Sequence, residues 1–333
     1  MSDDDKTIVL DAGNKEPDYG NCPVCGQKFL PAPEDVERLR CLACGYTQKT
    51  VTVVDVGSII AHKYRVLSYL NGGGYGSIYL CHPLDDVSVR YVLKVLRQPN
   101  NTSRKRFRRE AGILSSLSSN RRIAKVVDFW EILDNTYIVM EYIDGSNLKQ
   151  LYKSGCNFDE ETVLTIAYEV ARALQDIWNE HKIIHRDIKP ENIMIDSSSY
   201  IKLLDFGLSK QCGQEGAETS LITLAHSSMG TPGFMSPEQF GNFKDVDFRS
   251  DIYSLGATLF YLFTGREAVH AETLVGYYNQ TVSCSPPPVE NFGDKCSLGC
   301  IEMIRKMMQL KPQDRHSSYE ELIADITRLL NVF

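Results

Sequence analysis

The alternation of apolar and polar positions divides this chain near Asp144-Gly145. Before that point the apolar residues come in short runs, YRVLSYL at 64–70, SIYLCHP at 77–83 and RYVLKVL at 90–96. These runs are rich in β-branched and aromatic residues and read as strands. Two further strands fit Ala124 to Glu131 and Thr136 to Tyr142, and the run VTVVDVGSIIAHK at 51–63 opens as a strand and continues as a connector. Between them, Phe107, Ala111, Leu114 and Leu117 recur at helical spacing and predict one helix from Ser103 to Leu117. After Gly145 the period becomes helical. Leu164, Ala167, Val170, Ala171, Leu174 and Trp178 share one face of a helix over Glu160 to Glu180. Ile252 to Phe263 is apolar nearly all round, as a buried helix is, while Ile301 to Leu310 and Tyr319 to Leu330 are amphipathic. Five strands with one helix, followed by a larger helical part, predict an α+β chain of two lobes.

Residues 1–18 are polar and acidic and read as a disordered tail. Residues 19–50 hold four cysteines in two CxxC pairs, 51–63 form a linker, and the two lobes cover 64–142 and 143–333. A net charge of −7 and a pI near 5.6 argue against a nucleic-acid partner. The basic run RKRFRRE at 104–110 reads first as a solvated helix face. No apolar run reaches the roughly 18 residues of a membrane span. The start MSDDDKTIVLD lacks the features of a signal peptide, so a cytoplasmic location with reduced cysteines is expected.

The stretch LNGGGYGSIYL at 70–80 places a glycine-rich loop between two strand-like runs. A phosphate-binding GxxxxGK[ST] loop is excluded, because no Lys-Ser or Lys-Thr follows Gly76. A dinucleotide fingerprint would open a helix at once, whereas a strand follows here. What remains is a hairpin flap over phosphates or an ordinary turn, and the residues downstream decide. Lys94 lies on the next strand in YVLKVL, and Glu110 in the next helix. HRDIKPEN occupies 185–192, DFG 205–207, and GTPGFMSPE 230–238.

In this order and spacing, these motifs resemble those of the eukaryotic-like serine/threonine protein kinases, and GTPGFMSPEQ is most similar to bacterial members. The resemblance covers Tyr64 to the C-terminus and implies the bilobal kinase fold. It also implies ATP and magnesium, with manganese as a substitute, and transfer of phosphate to Ser/Thr hydroxyls of protein substrates. By the same resemblance Asp187 is the base, and Lys189 contacts the γ-phosphate. Thr231 orients Asp187 and favours Ser/Thr acceptors. Lys94, aimed by Glu110, holds the α and β phosphates, and Asn192 and Asp205 hold magnesium. Leu70, Gly73, Gly76, Ile78 and Val92 cover the nucleotide. The backbones of Glu141 and Ile143 bond the adenine edge, and Met140 is the gatekeeper. Val92 stands where the family commonly has Ala. Asn71 stands where the family has the first glycine of the flap, and Asn tolerates left-handed backbone. Glu238 should pair with Arg315, and Asp251 should tie the catalytic loop to the buried helix. Arg186 implies a docking site for phosphate on the hydroxyl-rich loop that carries Thr219, Ser220, Thr223, Ser227 and Ser228. Two rivals remain: a pseudokinase scaffold that transfers nothing, and a kinase-fold enzyme acting on small molecules.

Cys22-Pro-Val-Cys25-Gly and Cys41-Leu-Ala-Cys44-Gly form two knuckles separated by fifteen residues. Two thiolates on one turn can share a metal, and the spacing fits a four-cysteine zinc ribbon with a structural ion. Rubredoxin-like iron and a redox dithiol pair are the alternatives. Cys296 and Cys300 read as ordinary core or surface residues. Thr7, after three aspartates and before aliphatic residues, would if phosphorylated resemble a ligand of forkhead-associated domains.

Overall fold

The structure is a computed structural model that describes residues 38–40, 47–49, 54–73, 76–97, 112, 117, 120–132, 135–204, 210–211, 232–240 and 246–332. It divides into two compact units. One comprises Met1–Ser116 with Lys125–Tyr142, the other Leu117–Ala124 with Ile143–Phe333.

In the first unit, strands β1 (Arg38–Arg40) and β2 (Thr47–Lys49) form a separate antiparallel hairpin. The main sheet contains β3 (Ile59–Ile60), β4 (Tyr64–Gly73), β5 (Gly76–Pro83), β6 (Tyr91–Arg97), β7 (Val126–Ile132) and β8 (Asn135–Glu141). Their order is β3-β4-β5-β6-β8-β7, antiparallel throughout. The sheet therefore has six strands, not the five expected. The additional strand is the edge pair Ile59–Ile60, which precedes Tyr64. Its Ile60 is 1% exposed and Val54 4%, so these two residues anchor the segment to the core, while Asp55, Val56 and Gly57 between them are exposed. Backbone bonds from Gly57 to the carbonyl of Val66 and from Val66 to that of Ser58 secure them. Of the helix expected over Ser103 to Leu117, only residues 112 and 117 are described.

Residues directly opposite in an antiparallel ladder share a face. The ladders Tyr79↔Leu93↔Val139 and Val95↔Tyr137 therefore define one face, on which Tyr79, Cys81, Leu93, Val95, Tyr137 and Val139 are at most 3% exposed. Trp130 stacks between Tyr64 and Tyr137 at centroid distances of 5.9 and 5.5 Å, closing this core. Burial pushes the Cys81 thiol up to about 12, as befits a cysteine that serves as a small hydrophobe here. The other face carries Ile78↔Lys94↔Ile138 and Leu80↔Val92↔Met140.

The second unit is mainly helical: α1 (Leu148–Lys153), α2 (Glu160–His181), α3 (Arg249–Thr264), α4 (Leu274–Cys284), α5 (Leu298–Met307) and α6 (Tyr319–Leu330). Side-chain caps set the starts. Asp159 accepts from the N–H of Thr162, Thr273 from Gly276 and Ser318 from Glu321, each satisfying an orphan donor of a first turn. Helices α1 and α4 are additional to the helices expected from periodicity. Helix α3 is buried on all sides, and Gly256 shows why it must be small there. A Cβ at this position would lie 2.9 Å from both Met307 Cβ and Met308 Cγ, so the helices approach closely only through a glycine. A three-stranded sheet, in the order β12 (Ile201–Leu203), β11 (Ile193–Asp196), β9 (Gly145–Asn147), borders the helices. Strand β10 (Ile183–Ile184) pairs with β13 (Lys210–Gln211). Among the described residues no helix is long and apolar enough to cross a membrane.

Candidate active site

The segment between β10 and β11 gathers Asp187, Lys189 and Asn192. Helix α2 ends at Lys182, which adopts the left-handed conformation of a C-cap, and the chain turns directly into β10. Its next residues are held by the buried Asp251 of α3. The two carboxylate oxygens of Asp251 accept the backbone N–H groups of His185 and Arg186, each at 2.8 Å. Burial pushes the Asp251 carboxyl up, while these two N–H donors and the charge of Arg186 oppose that shift. Arg186 has φ = 68°, a conformation that costs energy for a side-chain-bearing residue and persists only when its surroundings fix it. Asp251 from below and Gln239, which donates to the carbonyl of Arg186 at 3.0 Å, supply that fixation.

Beyond this anchor the polar groups converge. Asn192 spends both amide hydrogens on Asp187, one on the backbone oxygen and one on Oδ2, each at 2.8 Å. These two acceptors set the orientation of the amide, so its Oδ1 is the atom left to meet a hard cation. Lys189 Nζ lies 2.9 Å from Asp187 Oδ2. Lys189 precedes a 3₁₀ turn, Pro190–Asn192, in which Glu191 pairs with Lys149 of α1. His185 accepts at Nδ1 from the N–H of Asp187, so its Nε2 carries the proton donated to the carbonyl of Leu204 at 2.8 Å. The N–H of Leu204 donates to Asn192 at 2.8 Å. Residue 204 is thus tied to the loop from both sides, one position before Asp205 of the DFG motif. Neither His185 nor Gln239 was assigned a role from sequence. Their signal was present, since His185 opens HRDIKPEN and Gln239 closes GTPGFMSPEQ.

The other expected residues fall as follows. Ile78, Val92, Lys94 and Met140 share the face of the sheet opposite its aromatic core. Leu70 is exposed on β4, and Ile143 is buried. The N–H of Glu141 donates to the carbonyl of Lys125 at 2.9 Å, and its carboxylate accepts from the N–H of Lys125. Gly73 and Gly76 form the last pair of the β4–β5 ladder. Asn71 does not adopt the left-handed backbone it would tolerate. It follows a bulge between Tyr69 and Asn71, and its Oδ1 accepts from the N–H of Gly72 at 2.8 Å. The bulge absorbs the local twist without a positive φ. Glu110, Asp205, Thr231 and the four knuckle cysteines Cys22, Cys25, Cys41 and Cys44 lie outside the described residues. Among the described residues, no three His, Cys, Asp or Glu side chains group as a metal site.

Outside the loop, Arg315 and Glu238 form the expected pair. Arg315 Nη1 and Nη2 donate to the two oxygens of Glu238 at 2.6 and 2.8 Å. Its remaining donors reach the carbonyls of Arg249, Leu310 and Gln309, so the guanidinium uses all five N–H groups.

The family model described as protein kinase domain matches residues 64–326. The chain is 34% identical over 281 residues to the serine/threonine-protein kinase pkn3 of Myxococcus xanthus, covering 81% of this chain and 50% of that protein. It is 32% identical over 275 residues to the serine/threonine-protein kinase PrkC of Bacillus subtilis, covering 81% of this chain and 41% of that protein. The chain spans at most about half the length of these relatives. With a catalytic-type loop anchored on a buried aspartate, a bidentate Arg–Glu pair behind it, and a family match across both units, the chain belongs to the protein kinase domain family.

Proposed function

We propose that this chain transfers the γ-phosphate of ATP to Ser and Thr hydroxyls of proteins, including its own loop between Gly207 and Ser236. The observation that carries this reading is the arrangement of Asp187, Lys189 and Asn192. A carboxylate is held by an amide on one side and faces an ammonium 2.9 Å away on the other. Asp187 accepts the proton of the substrate hydroxyl. Lys189 stabilises charge on the transferring group, and Lys94, aimed by Glu110, does so on the α and β phosphates. Leu70, Gly73, Gly76, Ile78 and Val92 cover the nucleotide, with the Glu141 and Ile143 backbones at the adenine edge. Asn192 and Asp205 would hold magnesium or manganese, and the chemistry of Asn192 Oδ1 fits a hard cation. A bound divalent ion neutralises phosphate charge. Thr231 orients Asp187. A scaffold that transfers nothing has no use for an amide committed twice to Asp187.

The test is incubation of the purified chain with γ-labelled ATP and magnesium, alone and with a general protein acceptor. Phosphoserine and phosphothreonine are expected in the hydrolysate, without phosphotyrosine, and label is expected on the peptide containing Thr219 to Ser228. Absence of label from both chain and acceptor would overturn the reading.

The N-terminal segment is proposed as a zinc ribbon. Strands β1 and β2 pair from Arg38↔Lys49 to Arg40↔Thr47, and the connection between them contains Cys41 and Cys44. A CxxC pair in the sequence that joins two paired strands suits a ribbon, and this supports the assignment of Cys22, Cys25, Cys41 and Cys44 to zinc. The ion would contribute on the order of 10 kcal/mol to folding of the segment. Elemental analysis is expected to find one zinc per chain, lost in Cys44→Ser. Retention of the metal in that variant would contradict the assignment. A phosphorylated Thr7 is proposed to bind a forkhead-associated domain. A cytoplasmic location suits the free thiols of Cys81, Cys156, Cys296 and Cys300.

A further inference from the structure

Arg186, with φ = 68°, is held through both of its peptide groups. Its N–H donates to Asp251 Oδ1 at 2.8 Å, and its carbonyl accepts from Gln239 Nε2 at 3.0 Å. The second bond belongs to a buried polar chain. Gln239 Oε1 accepts from the N–H of Ser236 at 3.0 Å and from Ser236 Oγ at 3.1 Å. A backbone N–H can only donate, so the Gln239 amide has one permitted orientation, with Nε2 turned to Arg186. Since Ser236 Oγ gives its hydrogen to Gln239, it accepts from Ser250 Oγ at 2.7 Å. Ser250 precedes Asp251 in α3, so the chain of bonds returns to the residue whose carboxylate holds the N–H of Arg186. Ser236, Ser250 and Gln239 are at most 2% exposed, which shields these bonds from competing water.

We infer, resting on the phosphoryl transfer proposed above, that Gln239 is a positioning residue: it orients Asp187 through the peptide unit that Arg186 and Asp187 share. That unit is planar, so fixing the carbonyl of Arg186 also fixes the direction of the N–H of Asp187. The N–H meets His185 Nδ1 at 3.3 Å, and the Asp187 side chain departs from the next atom toward Asn192 and Lys189. The left-handed backbone at Arg186 is costly and persists only where its surroundings over-determine it. Asp251 determines one side alone, because the N–H groups it holds lie before the Cα of Arg186. Gln239 determines the other side. Its removal lets the 186–187 peptide rotate, and rotation swings the Asp187 carboxylate away from the acceptor hydroxyl. A misplacement of about 1 Å is enough to cost roughly 10²-fold in rate. Ser236 and Ser250 act one and two bonds further out, by keeping the Gln239 amide in place.

The test is Gln239→Met in the full chain, which keeps the length of the side chain and removes its donor. The expected result is a kcat about 10–100-fold below the parent, with KM for ATP and for the acceptor unchanged and the protein still folded at the assay temperature. A residue that only fills the core would lower the melting temperature and leave the kcat of the folded protein alone. A second readout needs no phosphoryl transfer. Amide hydrogen exchange in the peptide containing His185 to Asp187 is expected to be faster in Gln239→Met, while peptides from α2 and α6 exchange as in the parent. Loss of transfer in the parent itself would defeat the proposed function, and the exchange experiment would still decide whether Gln239 holds the loop. Should Gln239→Met fail to fold, Ser236→Ala carries the test. It keeps the Gln239–Arg186 bond and loses the hydroxyl anchor, so a smaller fall in kcat at unchanged KM and faster exchange at Asp187 are expected. Parent kcat in a folded variant would overturn the inference, and so would parent exchange rates at His185 to Asp187.

Discussion

Replacing Asp187 by Asn is expected to lower phosphoryl transfer by about 10²–10⁴-fold, the range for a general base, while leaving the fold intact. Asn has nearly the same shape but cannot accept the substrate proton. The loop does not depend on the Asp187 carboxylate for its path, because Asp251 holds the N–H groups of His185 and Arg186 and Gln239 holds the carbonyl of Arg186. The variant does lose the charge partner of Lys189. Side-chain shape is conserved, and the backbone oxygen of Asp187 still receives Asn192. The measurement is initial rate of label incorporation beside a thermal melt of both proteins. A variant that melts like the parent and transfers little supports the role of Asp187. Equal rates would sink it. A rate lost together with the melting transition would instead show that the carboxylate holds the loop.

Arg315→Ala is expected to cost about 3–5 kcal/mol of stability, the cost of breaking a buried ion pair by removing one partner. That is a large share of the roughly 5–15 kcal/mol that separates folded from unfolded chains. The side chain of Arg315 is 0% exposed, and its planar fork supplies five donors to Glu238, Arg249, Leu310 and Gln309. Its guanidinium also lies 5.0 Å from the ring centroid of Tyr253. Truncation would leave a carboxylate and three carbonyl groups without these bonds. Lys, with one compact ammonium, cannot replace that fork, so Arg315→Lys should recover only part of the loss. Urea unfolding of parent, Arg315→Ala and Arg315→Lys decides the matter. Wild-type stability in the Lys variant would show that charge, not the fork, is what the site requires.

The helices with strong periodicity were legible, although the one expected over Ile301 to Leu310 is found at Leu298–Met307. Tyr319–Leu330 is found where the apolar spacing put it, and Glu160 begins α2 because Asp159 caps it. Short elements were not. Helix α1 has six residues, and only Leu148 of them is buried, so periodicity has nothing to register. The edge strand Ile59–Ile60 consists of two residues, identified by a backbone partner on β4 that no local pattern announces. For the candidate site, the spacing of HRDIKPEN carried Asp187, Lys189 and Asn192. The supporting bonds from His185 to Leu204 and from Gln239 to Arg186 join residues far apart in the chain.

By itself the sequence determined the family and the α+β character and named the candidate chemistry-bearing residues, because reaction chemistry constrains residue types at fixed spacings. It also determined which face of β6 carries Lys94, since strand alternation is a local property of the backbone. Only the tertiary structure decided what those residues touch. It placed the buried Asp251 under two N–H groups and closed all five donors of Arg315. It set Ser297 at the start of α5 against Glu160, 137 positions away. Such contacts depend on long-range packing and on the burial that makes each polar group need a partner, and neither quantity is written in local pattern.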